Sequence, residues 1–165
     1  MCKPVGVTVH PAVAGRPCSI AAALELVGDR WSLLAVREIT LGNHRFSEIA
    51  RNTGAPRDRL GARLKALTEA GIVEKREYSA APLRSDYHLT QAGRELAPVL
   101  QALLEWGDRW AVDSPPITIR HRDHDYAPGS VCRTCGEQVR PGDLDRVVNV
   151  PGWTLAGRVP GGQDS

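Results

Sequence analysis

The chain has 165 residues, of which 42% are hydrophobic and 24% are charged, a composition typical of soluble globular proteins. The sequence contains no apolar run long enough to span a bilayer, and residues 1–17 lack the apolar core of a secretory signal. These features argue against a membrane-spanning or secreted protein. We therefore expect a cytoplasmic protein with no membrane partner.

Positive charge is concentrated in one short stretch, although the formal net charge of the chain is only +2. Between Asn43 and Lys65 the sequence has two acids, Glu48 and Asp58, and six basic residues: Arg45, Arg51, Arg57, Arg59, Arg63 and Lys65. Six minus two gives a local charge of +4. A local basic patch indicates nucleic-acid binding better than the total charge does, so this stretch predicts a DNA-contacting surface.

Apolar residues at helical spacing predict three helices between residues 18 and 54. Residues 1–17 contain three prolines and little periodicity, which predicts a flexible arm. The first helix follows, with Ser19 as the expected N-cap and Gly28 at its end. The apolar positions of the three helices are Ile20, Ala23, Leu24 and Val27, then Trp31, Leu34, Ala35 and Ile39, then Phe46, Ile49 and Ala50.

A fourth amphipathic helix is predicted between Pro56 and Gly71. Leu60, Leu64 and Leu67 mark its apolar face. Proline is tolerated in the first turn of a helix, and glycine is common at its end. A short helix, a tight turn containing glycine and a second amphipathic helix form a helix-turn-helix, whose second helix fits a DNA major groove. An ordinary solvated helix is the alternative interpretation of the fourth helix taken alone.

A β-hairpin and a long helix are predicted next. Residues 72–78 favour a strand, residues 87–89 its partner, and residues 79–85 the hairpin tip, where Arg84 could enter a minor groove. Thr90 is the expected N-cap of one long helix with a broad apolar face, made of Leu96, Val99, Leu100, Leu103, Leu104, Trp106, Gly107 and Trp110. A second subunit would cover that face, although the first helix and the hairpin could also cover it within one chain.

The residues expected to contact DNA lie mainly on the exposed sides of the fourth helix. They are Arg45, Arg57, Asp58, Arg59, Ala62, Arg63, Lys65 and Arg84. Gly61 and Ala62 are small enough for a surface to approach closely. Arginine reads guanine edges or binds phosphates, and the sequence does not separate these two roles. For Arg63 an internal salt bridge is an alternative, and Lys65 is as well explained by simple solvation.

The order of these residues resembles the HxlR-type family, a branch of the MarR-like winged-helix regulators. The resemblance covers about residues 18–112 and rests on Cys18, 27–31, 33–34, 37–38, Gly42, 45–49, Leu60, 63–64, Leu67, 71–73, Pro82, 87–90, Gly93 and 105–107. It implies a dimeric transcription regulator, often a repressor and often responsive to oxidants or electrophiles. This chain departs from the family in having Pro56 where serine is frequent and His124 where cysteine is frequent.

Cys18 is the candidate redox-sensing residue, a role that the resemblance gives to this position in some members. It precedes the first helix, where the helix dipole favours a thiolate. A packed, unreactive thiol is the alternative, since free cysteine is commonly buried. Cys2 could be a second partner within the arm, but an incidental terminal residue explains it better.

His121, His124, Cys132 and Cys135 form two closely spaced pairs of metal-ligand type. Two nitrogen and two sulfur ligands suit tetrahedral zinc in a structural site, which would stabilise a segment with little hydrophobic core. The alternatives are a reversible disulfide between Cys132 and Cys135, or four residues without a ligand. Beyond residue 140 the chain is rich in proline and glycine, and we expect residues 141–165 to be disordered.

The expected fold is therefore mainly α with a small β-hairpin wing (α+β), a winged helix-turn-helix. The expected organisation is an arm at 1–17, a DNA-binding and dimerisation domain at 18–112, a linker with a zinc-knuckle segment at 113–140, and the tail. The expected function is a sequence-specific DNA-binding regulator, a homodimer on a double-stranded operator, responding to an oxidant or a small molecule. No catalytic set is recognised, but a thiol-disulfide oxidoreductase using Cys132 and Cys135, or a protein-binding winged helix, remains an alternative.

Overall fold

The computed structural model describes residues 16–80 and 83–159, and for residues 78–80, 83, 84 and 141 it describes the backbone alone. Most of the predicted arm therefore lies outside the described residues. The chain divides into two compact units, the first ending at Leu103 and the second beginning at Leu104. Within the described residues, no helix combines the length and apolar character that crossing a bilayer requires.

Four helices open the first unit: α1 Ser19–Val27, α2 Arg30–Thr40, α3 Phe46–Thr53 and α4 Arg57–Glu69. Their buried apolar side chains, with the residues just after α4, form the core: Val27, Ala35, Val36, Ile39, Ile49, Ala55, Leu60, Leu64, Leu67, Ile72 and Val73. Asp29 caps α2, because its carboxylate accepts a hydrogen bond from the Trp31 amide at 2.9 Å. The predicted cap of α1 was wrong by one residue, since Cys18 has an extended backbone whereas Ser19 is already helical.

The turn between α3 and α4 has the helix-turn-helix geometry that the sequence predicts. Gly54 adopts φ +69°, a left-handed conformation that ends α3 at low cost. The Ala55 amide then donates to Thr53 Oγ1 at 3.2 Å, and the Ala55 side chain enters the core. Pro56 is the N-cap of α4, and no side chain hydrogen-bonds to the amides of its first turn. The hydroxyl that a serine would provide as a cap at this position is therefore absent.

The wing is an antiparallel hairpin of β1 Val73–Ala80 and β2 Leu83–Leu89. It is longer than the sequence predicted, because pairing continues from Val73 opposite Leu89 out to Ala80 opposite Leu83, with an irregularity between Glu77 and Ser79. At its base the Tyr87 amide donates to the His44 carbonyl at 2.8 Å. Arg45 and Asp86 form a further antiparallel bridge. The start of α3 is thereby joined to the wing by backbone hydrogen bonding.

The single long helix predicted from Thr90 is divided in two. Helix α5 Gln91–Arg94 follows the Thr90 cap, and α6 Ala97–Trp110 follows α5. Pro98 accounts for the break, because proline has no amide hydrogen and its ring clashes with the carbonyl four residues earlier, that of Arg94. Proline is tolerated where it stands, in the first turn of α6.

The second unit contains the end of α6 and short local elements. These are a hairpin of β3 Arg120–His121 and β4 His124–Asp125, a 3-10 turn at Pro141–Asp143, and a hairpin of β5 Trp153–Thr154 and β6 Gly157–Arg158. The last two lie in the segment expected to be disordered. Gly152 and Gly157 there have positive φ, which provides the reversals that so short a hairpin needs.

A buried carboxylate, that of Glu38 in α2, connects the helices around the turn that follows α2. Arg37 Nε donates to Oε1 at 3.0 Å, while Asn43 and Asn52 each donate to Oε2, at 2.8 and 2.9 Å. Burial opposes ionisation of this group, but the hydrogen bonds from Asn52 and Arg37, the charge of Arg37 and the bond from Asn43 outweigh burial and hold the Glu38 pKa below its ordinary 4.5. Glu38 is therefore ionised at neutral pH and holds α3 against α2.

We predict that Glu38→Gln lowers the free energy of unfolding by about 1–3 kcal/mol at pH 7, because its amide nitrogen would face a donor. A carboxyl whose folded pKa is depressed contributes stability above its unfolded pKa and loses it as pH falls through the folded pKa. The difference between wild type and variant should therefore shrink below about pH 4.5. Denaturant unfolding from pH 7 to pH 3 measures it.

The matched control for this prediction is Glu105→Gln. Glu105 is an exposed carboxylate whose oxygen lies 3.2 Å from Arg109 on the same helix, and exposed pairs contribute little. A Glu38→Gln deficit that persists unchanged at pH 3 would contradict the role given to the ionised carboxylate.

Candidate nucleic-acid interface and thiol centres

Helix α4 has one buried face and one solvent face. Leu60, Leu64 and Leu67 are fully buried, as the periodicity predicted. The exposed positions among the predicted DNA contacts on α4 are Arg57, Asp58, Arg59, Ala62 and Lys65. The leucines fix α4 on the core, so its basic face points to solvent. An α-helix exposed in this way can enter a DNA major groove.

The cations of α4 differ in how firmly they are held. The Arg57 guanidinium lies 4.9 Å from the centre of the Phe46 ring, a cation–π contact with the start of α3. Lys65 Nζ lies 3.8 Å from Glu69 Oε1, and both side chains are well exposed. Arg63 is half-buried and forms no ion pair within the described part of the chain, so the internal salt bridge considered for it is not seen there. Arg59 is exposed near the start of the helix.

Small residues at the middle of this face leave room for a close approach. Ala62 is exposed and Gly61 half-exposed. A Cβ added to Gly61 would meet no atom within 4 Å, so the space above it is open. An α-helix carrying small residues between cations is suited to lie deep in a groove with its arginines on base edges or phosphates.

The two remaining predicted DNA contacts belong to the base and the tip of the wing. Arg45 is exposed at the N-cap of α3, where its amide donates to Glu48 Oε2 at 3.1 Å. Arg84 pairs with Ser79 in the hairpin backbone, and its side chain lies outside the described atoms. The wing therefore starts beside α3.

The thiol of Cys18 is exposed, at the N-cap of α1. The thiol is therefore not packed against the described residues, and a redox-sensing role for Cys18 stays a prediction. Two neighbours on the first turns of α1, Ile20 and Leu24, are also exposed, at 70% and 55%. Cys18 thus begins a helix whose outer face is apolar. Cys2 lies outside the described residues.

Cys132 and Cys135 lie in a tight turn of the second unit. The Gly136 amide donates to the Cys132 carbonyl at 2.7 Å, and the Cys132 amide donates to the Glu137 carbonyl at 2.9 Å. The backbone amide of Cys135, then that of Thr134, lowers the pKa of the Cys132 thiol from 9.0 to about 7. Hydrogen bonds to a thiolate favour the charged form, so Cys132 is about half ionised at neutral pH.

The four predicted zinc ligands remain as two separate pairs. His121 and His124 face each other across their hairpin, with ring centres 5.4 Å apart. Within residues 16–80 and 83–159, no three His, Cys, Asp or Glu side chains are grouped so as to hold a metal ion. The physical reason is that each pair is held by its own local hairpin or turn, and no shared core brings the pairs together. These residues as placed do not fit a zinc ion, and zinc binding stays a prediction.

A family model described as HxlR-like helix-turn-helix matches residues 26–115, more than half of the chain. The chain belongs to the HxlR-like helix-turn-helix family. It is accordingly a helix-turn-helix transcriptional regulator, and DNA is the partner that this family implies.

Relatives and solved structures agree with this assignment. The HTH-type transcriptional regulator Rv3095 of Mycobacterium tuberculosis is 43% identical over 125 residues, which cover 73% of this chain and 79% of the relative. The structure of PA1607, assigned as a transcription factor, has a TM-score of 0.72 at 29% identity and covers 87% of this chain and 100% of its own. The oxidised form of the redox regulator HypR has a TM-score of 0.51 at 28% identity, over 56% of this chain and 95% of its own.

Two features of this HxlR-like protein were missed in the sequence. Glu38 was identified only as one of the residues that carry the family resemblance. The hydrogen bonds to its buried carboxylate come from asparagines in a loop and in another helix, which the sequence does not place beside it. The sequence indicated no role for His44 and His88, whose rings stack with centres 4.3 Å apart and an interplanar angle of 23°. Nothing in residue spacing could reveal that pairing, because it depends on the wing meeting the residue ahead of α3.

We predict that Cys132 is alkylated by iodoacetamide with a pH midpoint of about 7 in the folded protein. The thiolate is the reacting species, and the turn's amides that stabilise it exist only in the fold. In urea the same residue should titrate near its ordinary value of 9.0. Peptide mass spectrometry across the pH range measures both curves, and coincident curves would contradict the effect of the turn.

Proposed function

We propose that this HxlR-like protein is a dimeric repressor that binds a pseudo-palindromic operator, with α4 of each subunit in a major groove and each wing beside it. The observation that carries the proposal is the two-faced character of α4. Its three leucines are fully buried while Arg59, Ala62 and Lys65 are exposed. The half-sites would lie about one helical turn of DNA apart, and affinity would fall steeply with salt because phosphates are neutralised.

Exposed apolar side chains support the dimer. In α1 these are Ile20 and Leu24, and in α6 they are Val99, Leu103, Trp106 and Trp110. Apolar side chains that are exposed together on a helix face favour contact with another protein chain. Two subunits related by a two-fold axis would present two copies of α4 to two half-sites.

Regulation by oxidants is proposed to act through Cys18. The thiol is exposed at the start of α1, next to the apolar side chains proposed as part of the subunit interface. An oxidant that takes two electrons and two protons from Cys18 and a second thiol would join them in a disulfide and so alter dimer geometry. A small change in the spacing of the two α4 helices would then disturb both half-sites. The fold similarity to the redox regulator HypR supports a thiol-based response.

Two other functions were considered for this chain. An oxidoreductase using Cys132 and Cys135 would draw on the acidic Cys132 thiol, but the pair lies in a turn between two-residue strands rather than in a strand–helix context. A protein-binding winged helix is disfavoured by the net charge of +4 over residues 43–65, which suits nucleic acid better.

We predict that Arg59→Ala weakens binding to the operator by about 1–3 kcal/mol if Arg59 reads a base, with a smaller effect on scrambled DNA. Fluorescence anisotropy with DNA from the protein's own upstream region, at two salt concentrations, measures both affinities. A uniform loss with a shallower salt dependence would assign Arg59 to a phosphate instead.

The control for this experiment is Arg109→Ala, which removes an equal charge from an exposed arginine of α6 paired with Glu105. It should leave operator affinity within twofold. If Arg59→Ala changes neither affinity nor specificity while the fold is intact, α4 is not the helix in the major groove.

We predict that diamide abolishes operator binding by the wild type and not by Cys18→Ser. A serine hydroxyl keeps the size of the side chain and cannot be oxidised to a disulfide. The Cys132→Ser/Cys135→Ser double variant is the matched control and should still lose binding. The reverse pattern, with loss in Cys18→Ser and retention in the double variant, would place the sensor in the second unit.

A further inference from the structure

A cavity of about 460 Å³ lies in the first unit, and its described lining includes no residue of α4. Its lining includes Ile39, His44, Arg76, His88, Leu89 and Arg94. The volume is within the range of small-molecule sites, about 300–1,000 Å³. Arg76 and Arg94 are exposed, so the cavity opens to solvent between them and the buried Ile39.

The cavity is built where several elements of the DNA-binding unit meet. Ile39 comes from the last turn of α2, and His44 stands just ahead of α3. Arg76 comes from β1, while His88 and Leu89 end β2. Arg94 ends the short helix α5. A molecule in this space would therefore touch the wing and the entrance to the helix-turn-helix at the same time.

The two charged residues among the described lining of the cavity are arginines, and the carboxylates of Glu74 and Asp86 lie beside them, that of Glu74 paired with Arg76. Each guanidinium is anchored and has donors left over. Arg76 Nε donates to Glu74 Oε1 at 2.8 Å, and Arg94 Nη1 donates to the Leu89 carbonyl at 2.7 Å. These contacts orient the arginines without filling their five N–H positions.

The stacked histidines give the cavity a flat aromatic side. His44 Nδ1 lies 2.9 Å from the Tyr87 carbonyl, which can only accept, so this nitrogen carries the proton. Burial, then the neighbouring His44 and Arg76, lower the pKa of His88 against the opposing effect of Asp86 and Glu74. His88 is thus neutral at physiological pH and lines the cavity together with the apolar side chains of Ile39 and Leu89.

We propose that this cavity binds a small carboxylate with an aromatic body, the carboxylate on Arg76 and Arg94 and the ring against the histidine stack, Ile39 and Leu89. Arginine donors in fork geometry match a carboxylate, and an apolar cavity with a few convergent polar groups is the usual form of a ligand site. As a regulatory site this inference rests on the proposed function, since the ligand would bias the wing and α3 that the proposal places on DNA.

The test uses the full chain and benzoate as the probe, with benzamide as a neutral molecule of the same shape. Isothermal titration should show benzoate binding at least tenfold tighter than benzamide. Arg76→Gln/Arg94→Gln should weaken benzoate at least tenfold. Arg109→Gln, an exposed arginine outside the cavity, should change affinity less than twofold. Thermal melting of each variant checks that it folds.

A second readout locates the ligand in the wild type without any variant. Benzoate should shift the imidazole proton resonances of His44 and His88 in parallel with binding and leave those of His121 and His124 unchanged. The proposal is overturned if benzoate does not bind, if benzamide binds as tightly, if Arg109→Gln loses as much affinity as the cavity variant, or if the His44 and His88 signals do not move.

The titrations contain no DNA, so their outcome is separate from that of the operator-binding experiments. Benzoate binding without operator binding would keep the cavity site and remove its regulatory meaning. Operator binding without benzoate binding would keep the proposed repressor and remove the cavity site.

Discussion

The ionised carboxylate of Glu38 is the constraint on which the arrangement of helices depends. It is buried in α2 and receives hydrogen bonds from Asn43 in the following turn and Asn52 in α3. A buried charge is costly unless its partners are all in place. The position of α3 relative to α2 is therefore narrowly defined. Because α3 ends at Gly54, its position also determines where α4 begins. Hydrophobic burial alone is less directional and would tolerate other helix placements.

The packing of α4 on the core keeps its basic side chains exposed to solvent. Leu60, Leu64 and Leu67 occupy the core completely, so α4 cannot rotate about its axis without exposing a leucine or burying an arginine. The cap provided by Pro56 leaves first-turn amides without a side-chain partner, and such amides are suited to meet a phosphate. A DNA phosphate would thus accept hydrogen bonds from first-turn amides of α4 that have no side-chain partner, which supports the function proposed for this surface.

The features that the sequence predicted are those encoded by local spacing. Helix periodicity located α1 to α4, and glycine located the turn at Gly54, because each signal involves residues within one or two turns. The break before α6 was missed although Pro98 was visible, since the apolar periodicity runs through it. The His44–His88 stack and the Glu38 network could not be predicted, because they join residues from separate elements. Spacing within each pair predicted the zinc ligands, but spacing does not determine whether the His121–His124 and Cys132–Cys135 pairs meet, so zinc binding stays a prediction.

The wing is firmly attached at its base, and this matters for how a signal could reach DNA. The Tyr87 amide bonds to the His44 carbonyl, and Thr90 Oγ1 donates to the Gly71 carbonyl at 2.6 Å. A Cβ on the buried Gly93 would lie 2.2 Å from the Ile72 carbonyl, so α5 packs against the start of β1 with no space between them. The hairpin beyond Glu77 has no comparable attachments among its described backbone contacts. A ligand at the base would therefore act on the part of the wing that is defined by packing. The paired strands would transmit a displacement as far as the irregularity between Glu77 and Ser79, where a hairpin bends more easily.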